Sequence, residues 1–262
     1  MDPCPHLQSG LLARAGFAHA FFTRRGGVSE GPFASLNLSP EVGDRAEHVR
    51  ENLGRAAHTL GLAAERLYVA AQVHDRGVIS LHGSENASVV ARTAADALVS
   101  STPGSGCGVR TADCVPILIG DPVTGAFAAV HAGWRGTLAT AVIAGVERLA
   151  KEYDARPEDL RAAIGASAGP CCYEVGSEVI EAFSSKFVDG EKLFTPTRDG
   201  HARVDLLKAN RDQLISTGVK PERIHIAPLC TMCRTDLFFS YRREKSVHGK
   251  VGRLMAVVGR EP

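Results

Sequence analysis

Helical and strand-like hydrophobic patterns alternate along the chain. Asp44-Arg-Ala-Glu47 has the form of a capping box, and apolar residues follow it at helical spacing as far as Gly61, the expected C′ residue. Further helices are predicted for residues 137–153, 178–187 and 206–217. The last of these is expected to be capped by Asp205 and closed by Gly218.

Short β-prone runs bounded by Gly, Pro or Asp account for much of the remaining chain. They cover residues 67–73, 78–81, 97–100, 115–119, 126–130, 223–227, 237–241 and 254–258. Some runs follow one another directly, which predicts a layered α/β (α+β) fold and not a doubly wound parallel sheet. No stretch has the composition of a linker and no repeat period is visible, so we expect a single domain over residues 1–262.

Composition and charge narrow the functional classes. Lys and Arg number 30 and Asp and Glu 29, a balance that speaks against a nucleic-acid-binding surface. No stretch approaches the roughly 18 apolar residues of a membrane span, and the first ten residues lack a signal-peptide pattern. We therefore expect a cytoplasmic protein with neither a membrane nor a nucleic acid as partner. The odd number of cysteines, seven, favours reduced thiols over a disulfide framework.

Two of the ten histidines end β-prone runs, and a cysteine precedes another run. His74 closes the run that starts at Leu67, His131 closes the run that starts at Ala126, and Cys114 stands directly before residues 115–119. Strand ends are where a rigid scaffold presents functional groups to a cleft. From the pattern alone, these three residues either form a site or pack at the edge of the core.

Cys230-Thr-Met-Cys233 is a rival candidate for metal binding. A structural zinc site needs four protein ligands, and the other close pair, Cys171-Cys172, is adjacent in sequence and poorly spaced for chelation. We therefore expect Cys230 and Cys233 to be buried thiols with a structural role.

Two Gly-rich segments carry arginines that can bind an anion. His131-Ala-Gly-Trp-Arg-Gly136 leads from a predicted strand into the helix predicted at 137–153, so Arg135 and the free amides of the first helical turn form a candidate phosphate site. Thr23-Arg-Arg-Gly-Gly27 is a second, weaker candidate. The alternative for both segments is a tight turn with solvated arginines.

Several blocks together resemble the bacterial laccase-domain family, from about residue 17 to about residue 258. The blocks are Phe22-Thr-Arg-Arg-Gly-Gly-Val-Ser29, Ser35-Leu-Asn-Leu38, Gln72-Val-His74, Arg110-Thr-Ala-Asp-Cys-Val-Pro116, Ala129-Val-His-Ala-Gly-Trp-Arg-Gly-Thr137, Gly169-Pro-Cys-Cys-Tyr-Glu-Val175 and Phe239-Ser-Tyr-Arg-Arg243. This family was first described as polyphenol oxidases and later as purine nucleoside phosphorylases with adenosine deaminase activity. Asp75 departs from the family pattern, in which a small or uncharged residue follows the histidine.

The resemblance implies a fold, a metal site and substrates. It implies a four-layer α/β/β/α arrangement of mixed sheets, and a metal held by His74, Cys114 and His131, through which these residues act in catalysis. It also implies purine nucleosides and phosphate as substrates. Family blocks and charge together suggest that Arg24 and Arg135 bind phosphate and that Asn37 contacts the nucleoside.

Two imidazoles and one thiolate suit a zinc ion with an open fourth position, although the same donors can bind copper. A copper-dependent polyphenol oxidase is disfavoured, because no two histidines are two residues apart as in the paired motifs of multicopper laccases. A cysteine hydrolase or deamidase with Cys114 as nucleophile and His131 as base is the main alternative. A metal-dependent binding module without catalytic activity is a further one.

Overall fold

The computed structural model describes residues 3–261 and contains both helices and strands in this range. The helices are α1 (Gly10–Arg14), α2 (Ala46–Thr59), α3 (Ala87–Val90), α4 (Trp134–Leu138), α5 (Ala141–Tyr153), α6 (Ser177–Lys186), α7 (Leu206–Ser216) and α8 (Tyr241–His248). The strands are β1 (His6–Leu7), β2 (Ala18–Phe22), β3 (Leu67–Val69), β4 (Val78–Leu81), β5 (Ala97–Ser100), β6 (Gly106–Thr111), β7 (Val115–Gly120), β8 (Phe127–Ala132), β9 (Arg161–Ile164), β10 (Glu174–Gly176), β11 (Phe194–Arg198), β12 (His201–Val204), β13 (Ile224–Ile226) and β14 (Leu254–Gly259). Among residues 3–261, no helix is long and apolar enough to cross a membrane.

The strands form two large mixed sheets and one small antiparallel sheet. The first has the order β1-β2-β14-β6-β3, the second β13-β9-β7-β8-β5-β4, and the small one β10-β12-β11. In the first sheet β3 runs parallel to β6, and in the second β4 pairs in parallel with β5 and β13 with β9, while the other pairings are antiparallel. The predicted α/β class with mixed sheets is confirmed.

In the central strands, apolar side chains point alternately to the two faces of the sheet, and this explains why two sheets stack. In β7, Val115, Ile117 and Ile119 belong to the core under α5 and α7, whereas Leu118 belongs to the core between the sheets. Successive side chains of a strand point to opposite faces, so a strand that is apolar at every position must be covered on both sides. All six residues of β7 and all six of β8 are buried.

The two outer faces are covered by helices. Ala56 and Ala57 of α2 pack with Ala20 and Phe22 of β2 on the first sheet, while α5 and α7 cover the second sheet. The resulting order is helix, sheet, sheet, helix, as the family resemblance implied.

The structure corrects three local predictions. Helix α2 begins after Arg45, and the Asp44 carboxylate accepts hydrogen bonds from Ser29 and Asn37 in a loop instead of closing a capping box. The helix predicted at 137–153 is divided at Thr140, whose φ is +63°. Residues 237–240, predicted as part of a strand, lead into α8.

Other local predictions are confirmed. Helices α6 and α7 lie where the hydrophobic spacing placed them. The Asp205 carboxylate accepts a hydrogen bond from the amide of Lys208 and so caps α7.

Candidate metal centre

His74, Cys114 and His131 meet where the chain passes between the two large sheets. His74 lies on the connection from β3 to β4 and Cys114 on that from β6 to β7, and each connection crosses from the first sheet to the second. His131 lies near the end of β8 and pairs with Pro116 of β7. One ligand atom of each residue lies within 4.8 Å of those of the other two. The topology thus brings together residues that are far apart in sequence: 40 positions separate His74 from Cys114, and 17 separate Cys114 from His131.

Asp96 holds the ring of His131 and the backbone of the loop that carries His74. One carboxylate oxygen lies 2.8 Å from Nδ1 of His131, which is 3% exposed. The same carboxylate accepts hydrogen bonds from the backbone amides of Val73, His74 and Asp75. Because Nδ1 of His131 is engaged by Asp96, Nε2 is the nitrogen left for a metal, the arrangement usual for metal-binding histidines.

The backbone around the ligands is held in conformations that few residues adopt. His74 has a φ of +63° and Asp113, next to Cys114, a φ of +87°. Asp113 is fixed by hydrogen bonds from the hydroxyls of Thr231 and Ser240 and from the amide of Arg242. Left-handed backbone at non-glycine residues costs free energy and persists where neighbouring contacts enforce it.

The charges of the ligands are coupled. Burial by itself raises the pKa of the Cys114 thiol, but His131 and His74 beside the sulfur outweigh it and bring the pKa to about 6. Burial likewise disfavours a charged His131, yet Cys114 and Asp96 raise its pKa to about 9. The pKa of Asp96 is lowered, since hydrogen bonds from His131 and the loop amides overcome the effect of burial. The site therefore favours the thiolate form of Cys114, which is the form that binds metals.

Gly133 leaves the space that a metal requires. A Cβ at this position would lie 2.8 Å from Sγ of Cys114 and 3.2 Å from Cδ2 of His74. Zinc–nitrogen bonds of about 2.0 Å and zinc–sulfur bonds of about 2.3 Å place two nitrogens and one sulfur about 3.3–3.5 Å apart in a tetrahedral site, a spacing compatible with this cluster. The donor set and the open space beside Gly133 thus fit a metal with three protein ligands.

The ligands open into a cavity of about 560 Å³, a size typical of small-molecule sites. Its wall includes the arginines Arg110, Arg135, Arg242 and Arg253 and the acids Glu41 and Asp113. The buried Nε of Arg110 has no hydrogen-bond partner within residues 3–261. The wall therefore carries an excess of positive charge next to the metal ligands.

Arg135 is the one predicted substrate contact that lines this cavity. Its guanidinium stacks over the Trp134 ring at 4.1 Å, and α4 around it is only five residues long. Helix α4 is therefore too short to provide a long helix dipole, and the positive charge of this segment is that of the Arg135 guanidinium.

Arg24 and Asn37 lie outside the cavity wall, and a substrate role for them stays a prediction. The Arg24 guanidinium pairs with Glu244 at 2.9 Å and packs over Phe239. The Asn37 side chain is buried and accepts a hydrogen bond from the amide of Arg253, so it contacts the backbone of a residue that lines the cavity. Asp75, the departure from the family pattern, is exposed, and its backbone amide donates a hydrogen bond to the carboxylate of Asp96.

The expectation of buried thiols at 230 and 233 is wrong. Cys233 is exposed and Cys230 half-buried, and both lie beside Cys171 and Cys172. None of the seven cysteines, all of which lie within residues 3–261, is joined in a disulfide.

The sequence profile of the multi-copper polyphenol oxidoreductase laccase family matches residues 18–261. The chain belongs to this family. Among curated members, a purine nucleoside phosphorylase from Bacteroides thetaiotaomicron is 36% identical over 92% of each chain. Another purine nucleoside phosphorylase, from Deinococcus radiodurans, is 39% identical and covers 92% of this chain and 88% of its own.

A solved structure has the same fold. The crystal structure of YlmD from Geobacillus stearothermophilus superposes with a TM-score of 0.90 at 32% identity, over 99% of this chain and 100% of that one. The family blocks contain the three candidate metal ligands and the cavity arginines Arg110, Arg135 and Arg242, although only Arg135 was predicted to contact substrate; Asp96 and Arg253 lie outside the blocks. The available signal for Asp96 was its position directly before the apolar residues of β5.

Proposed function

We propose that this protein is a zinc-dependent purine nucleoside phosphorylase with adenosine deaminase activity. The observation that carries the proposal is the presence of His74, Cys114 and His131 in the same cavity as four arginines. The names of the curated relatives supply the substrate class. Purine nucleosides and phosphate are thus the proposed partners, and the free thiols are in keeping with a cytoplasmic location.

His74, Cys114 and His131 would hold the metal, and copper is the alternative to zinc for this donor set. When bound, zinc supplies Lewis acidity at the open position. Asp96 keeps His131 in the tautomer that presents Nε2 to the metal. Gly133 would leave room for the metal, because a Cβ at this position would press against the Cys114 sulfur.

Phosphorolysis requires phosphate to be held against the ribose. An oxygen of hydrogen phosphate attacks C1′, the bond from C1′ to N9 breaks, and the purine leaves with the bonding electron pair and takes up the proton that the phosphate loses on becoming the sugar phosphate. Arg135 and the other guanidiniums bind the dianion and orient it, since planar forks match phosphate oxygens. The rings of Trp134, Tyr173 and Tyr241 line the same cavity and offer stacking surfaces for the purine.

Deamination of adenosine is the second reaction in this proposal. Water supplies the oxygen that replaces the C6 amino group, and ammonia leaves, so phosphate takes no part. The arginines of the wall are therefore expected to matter for phosphorolysis and much less for deamination.

An assay with adenosine, inosine and guanosine, with and without phosphate, tests the proposal. We expect release of free purine base that depends on phosphate, and formation of inosine from adenosine without phosphate. Arg135→Ala should lower the kcat/KM of phosphorolysis about ten- to hundred-fold, because a charge-assisted contact is worth about 1.5–3 kcal/mol. Chromatography of bases and nucleosides measures each product.

Arg76→Ala is the matched control, because Arg76 is exposed, pairs with Glu147 and lies outside the cavity. It should leave both reactions unchanged. Equal losses of phosphorolysis and deamination in Arg135→Ala would contradict the phosphate role of Arg135. Oxidation of phenols with uptake of dioxygen, and no attack on nucleosides, would contradict the proposed function itself.

A cysteine hydrolase is the second candidate, and one geometric observation favours it. Cys114, His131 and Asp96 are arranged as nucleophile, base and orienting acid. His74 is superfluous in such a triad, which is why we prefer the metal. About one metal ion in this site, lost in Cys114→Ser and in His131→Ala, is expected by elemental analysis. A metal-free enzyme that is active and is inactivated by alkylation of Cys114 would favour the hydrolase.

A further inference from the structure

Four cysteines form a second cluster outside the cavity. The sulfurs of Cys171, Cys172, Cys230 and Cys233 all lie within 4.8 Å of one another. The sulfur of Cys233 is 3.6 Å from that of Cys171 and 3.3 Å from that of Cys172. The cluster lies at the surface, since Cys171 and Cys233 are exposed and the other two are half-buried.

The topology of the second sheet brings the two pairs together. Strands β9 and β13 are parallel neighbours, so the loops that follow them leave the sheet at the same edge. The parallel pairing continues beyond both strands, where Ser167 bridges Cys230. Cys171 and Cys172 lie on the first loop and Cys230 and Cys233 on the second, about sixty residues later.

The local backbone presents the four sulfurs to a common centre. In the turn from Cys230 to Cys233, the amides of Cys233 and Arg234 bond to the carbonyl of Cys230. The amide of Gly169 lies 3.3 Å from the sulfur of Cys230. Gly169 also provides the close approach of the loops, because a Cβ there would lie 3.4 Å from the sulfur of Cys171 and 3.2 Å from Cβ of Cys230.

The donor set and its spacing fit one metal ion. Four sulfurs around a tetrahedral zinc at about 2.3 Å are separated by about 3.8 Å, within the range of this cluster. Four thiolates select zinc or iron over hard cations such as magnesium. A site with four protein ligands has no position for a substrate, so such a metal is structural.

We propose that Cys171, Cys172, Cys230 and Cys233 bind a structural zinc ion that is separate from the metal site of the cavity. Zinc with four thiolates carries two negative charges, and the surroundings supply partial compensation. Nη2 of Arg243 lies 3.9 Å from the sulfur of Cys172, and the amide of Gly169 points at Cys230.

The position of the cluster gives this zinc a role in the cavity. Tyr173, which follows Cys172, lines the cavity wall. Thr231, between the other two cysteines, donates a hydrogen bond to Asp113 next to Cys114. The zinc therefore links the two loops that support this side of the catalytic site.

Metal analysis of variants tests the proposal without any assumption about the first site. The double variant Cys230→Ser/Cys233→Ser should contain one zinc ion per chain fewer than the wild type. Cys4→Ala, which removes a buried thiol outside both clusters, should retain the wild-type zinc content. Wild-type zinc in the double variant would overturn the proposal, as would iron in place of zinc.

Cobalt substitution gives a readout that does not depend on the folding of the double variant. Cys114→Ser loaded with cobalt(II) retains the four-cysteine cluster and should show the intense thiolate charge-transfer bands of a tetrahedral four-sulfur site. A spectrum without these bands would overturn the proposal. The proposal would also be overturned if the protein as purified held no metal and its mass under non-reducing conditions were two or four hydrogens below that of the fully reduced chain. The cysteines would then form disulfides.

Discussion

Asp96 shows how much one buried side chain does for the candidate metal centre. It is 1% exposed, and its two oxygens serve His131 and the amides of the His74 loop at once. A carboxylate accepts hydrogen bonds at both oxygens, whereas an asparagine side chain accepts at one and donates at the other. An asparagine at this position would therefore leave part of this set of donors without an acceptor.

Asp96→Asn is expected to weaken zinc binding about 10–100-fold, the range found when a partner of a metal-ligating histidine is removed. Competition with a chromophoric zinc chelator measures the affinity. Asp121→Asn is the matched control, because Asp121 is equally buried but caps the turn between β7 and β8. It should lower stability and leave zinc affinity unchanged. Wild-type affinity in Asp96→Asn would refute the positioning role.

Strand β2 contains a buried histidine whose protonation affects the stability of the protein. In His19, Nε2 accepts a hydrogen bond from the amide of Ser9 at 2.8 Å and Nδ1 lies 3.0 Å from the carbonyl of Phe17. This pattern needs the neutral ring with its proton on Nδ1. Burial, and to a lesser degree the neighbouring His6 and His225, lowers the pKa of His19.

A lowered pKa in the folded state makes His19 destabilising at acid pH. Below about pH 6.5 the unfolded chain takes up a proton that the native ring resists, so stability falls as the pH falls. His19→Gln removes this titration, and the loss of unfolding free energy between pH 7.5 and 5.5 should be smaller than in the wild type. Urea denaturation at both values checks it. An equal loss of unfolding free energy in the wild type and in His19→Gln would show that His19 titrates alike in the folded and unfolded states.

At the scale of the whole molecule, the core between the two sheets holds the candidate site together. His74 and Cys114 lie on connections between the sheets, so their separation depends on how the sheets stack. Phe127 of β8 is fully buried there and contacts Phe17 edge-on, with 6.4 Å between ring centres.

Phe127→Ala is expected to lower the unfolding free energy by about 3–5 kcal/mol, because it removes apolar burial and leaves a cavity. Val123→Ala, at a position that is 69% exposed in the turn before β8, should stay within about 0.5 kcal/mol of the wild type. Chemical denaturation of both variants makes the comparison. A loss below 1 kcal/mol in Phe127→Ala would mean that the sheets repack around the deletion.

The sequence alone determined the elements whose signals are local. Helices α6 and α7 and strands β4, β5, β7 and β8 follow from hydrophobic spacing within a few residues. The family blocks also singled out His74, Cys114 and His131. Strands β1, β2, β6 and β9 were missed, and so were the three strands of the small sheet, because their short or mixed patterns carry little periodicity.

Only the tertiary structure decided which distant residues meet. Cys171 and Cys172 looked unsuited to chelation because they are adjacent in sequence. The parallel pairing of β9 and β13, which brings Cys230 and Cys233 to them, leaves no mark on sequence spacing. The same holds for Asp96 beside His131 and for Arg110, Arg242 and Arg253 around one cavity. A local pattern records the period of a helix or strand. A site is made of side chains from distant parts of the chain, which come within a few ångströms of one another only when the connections between the sheets fold.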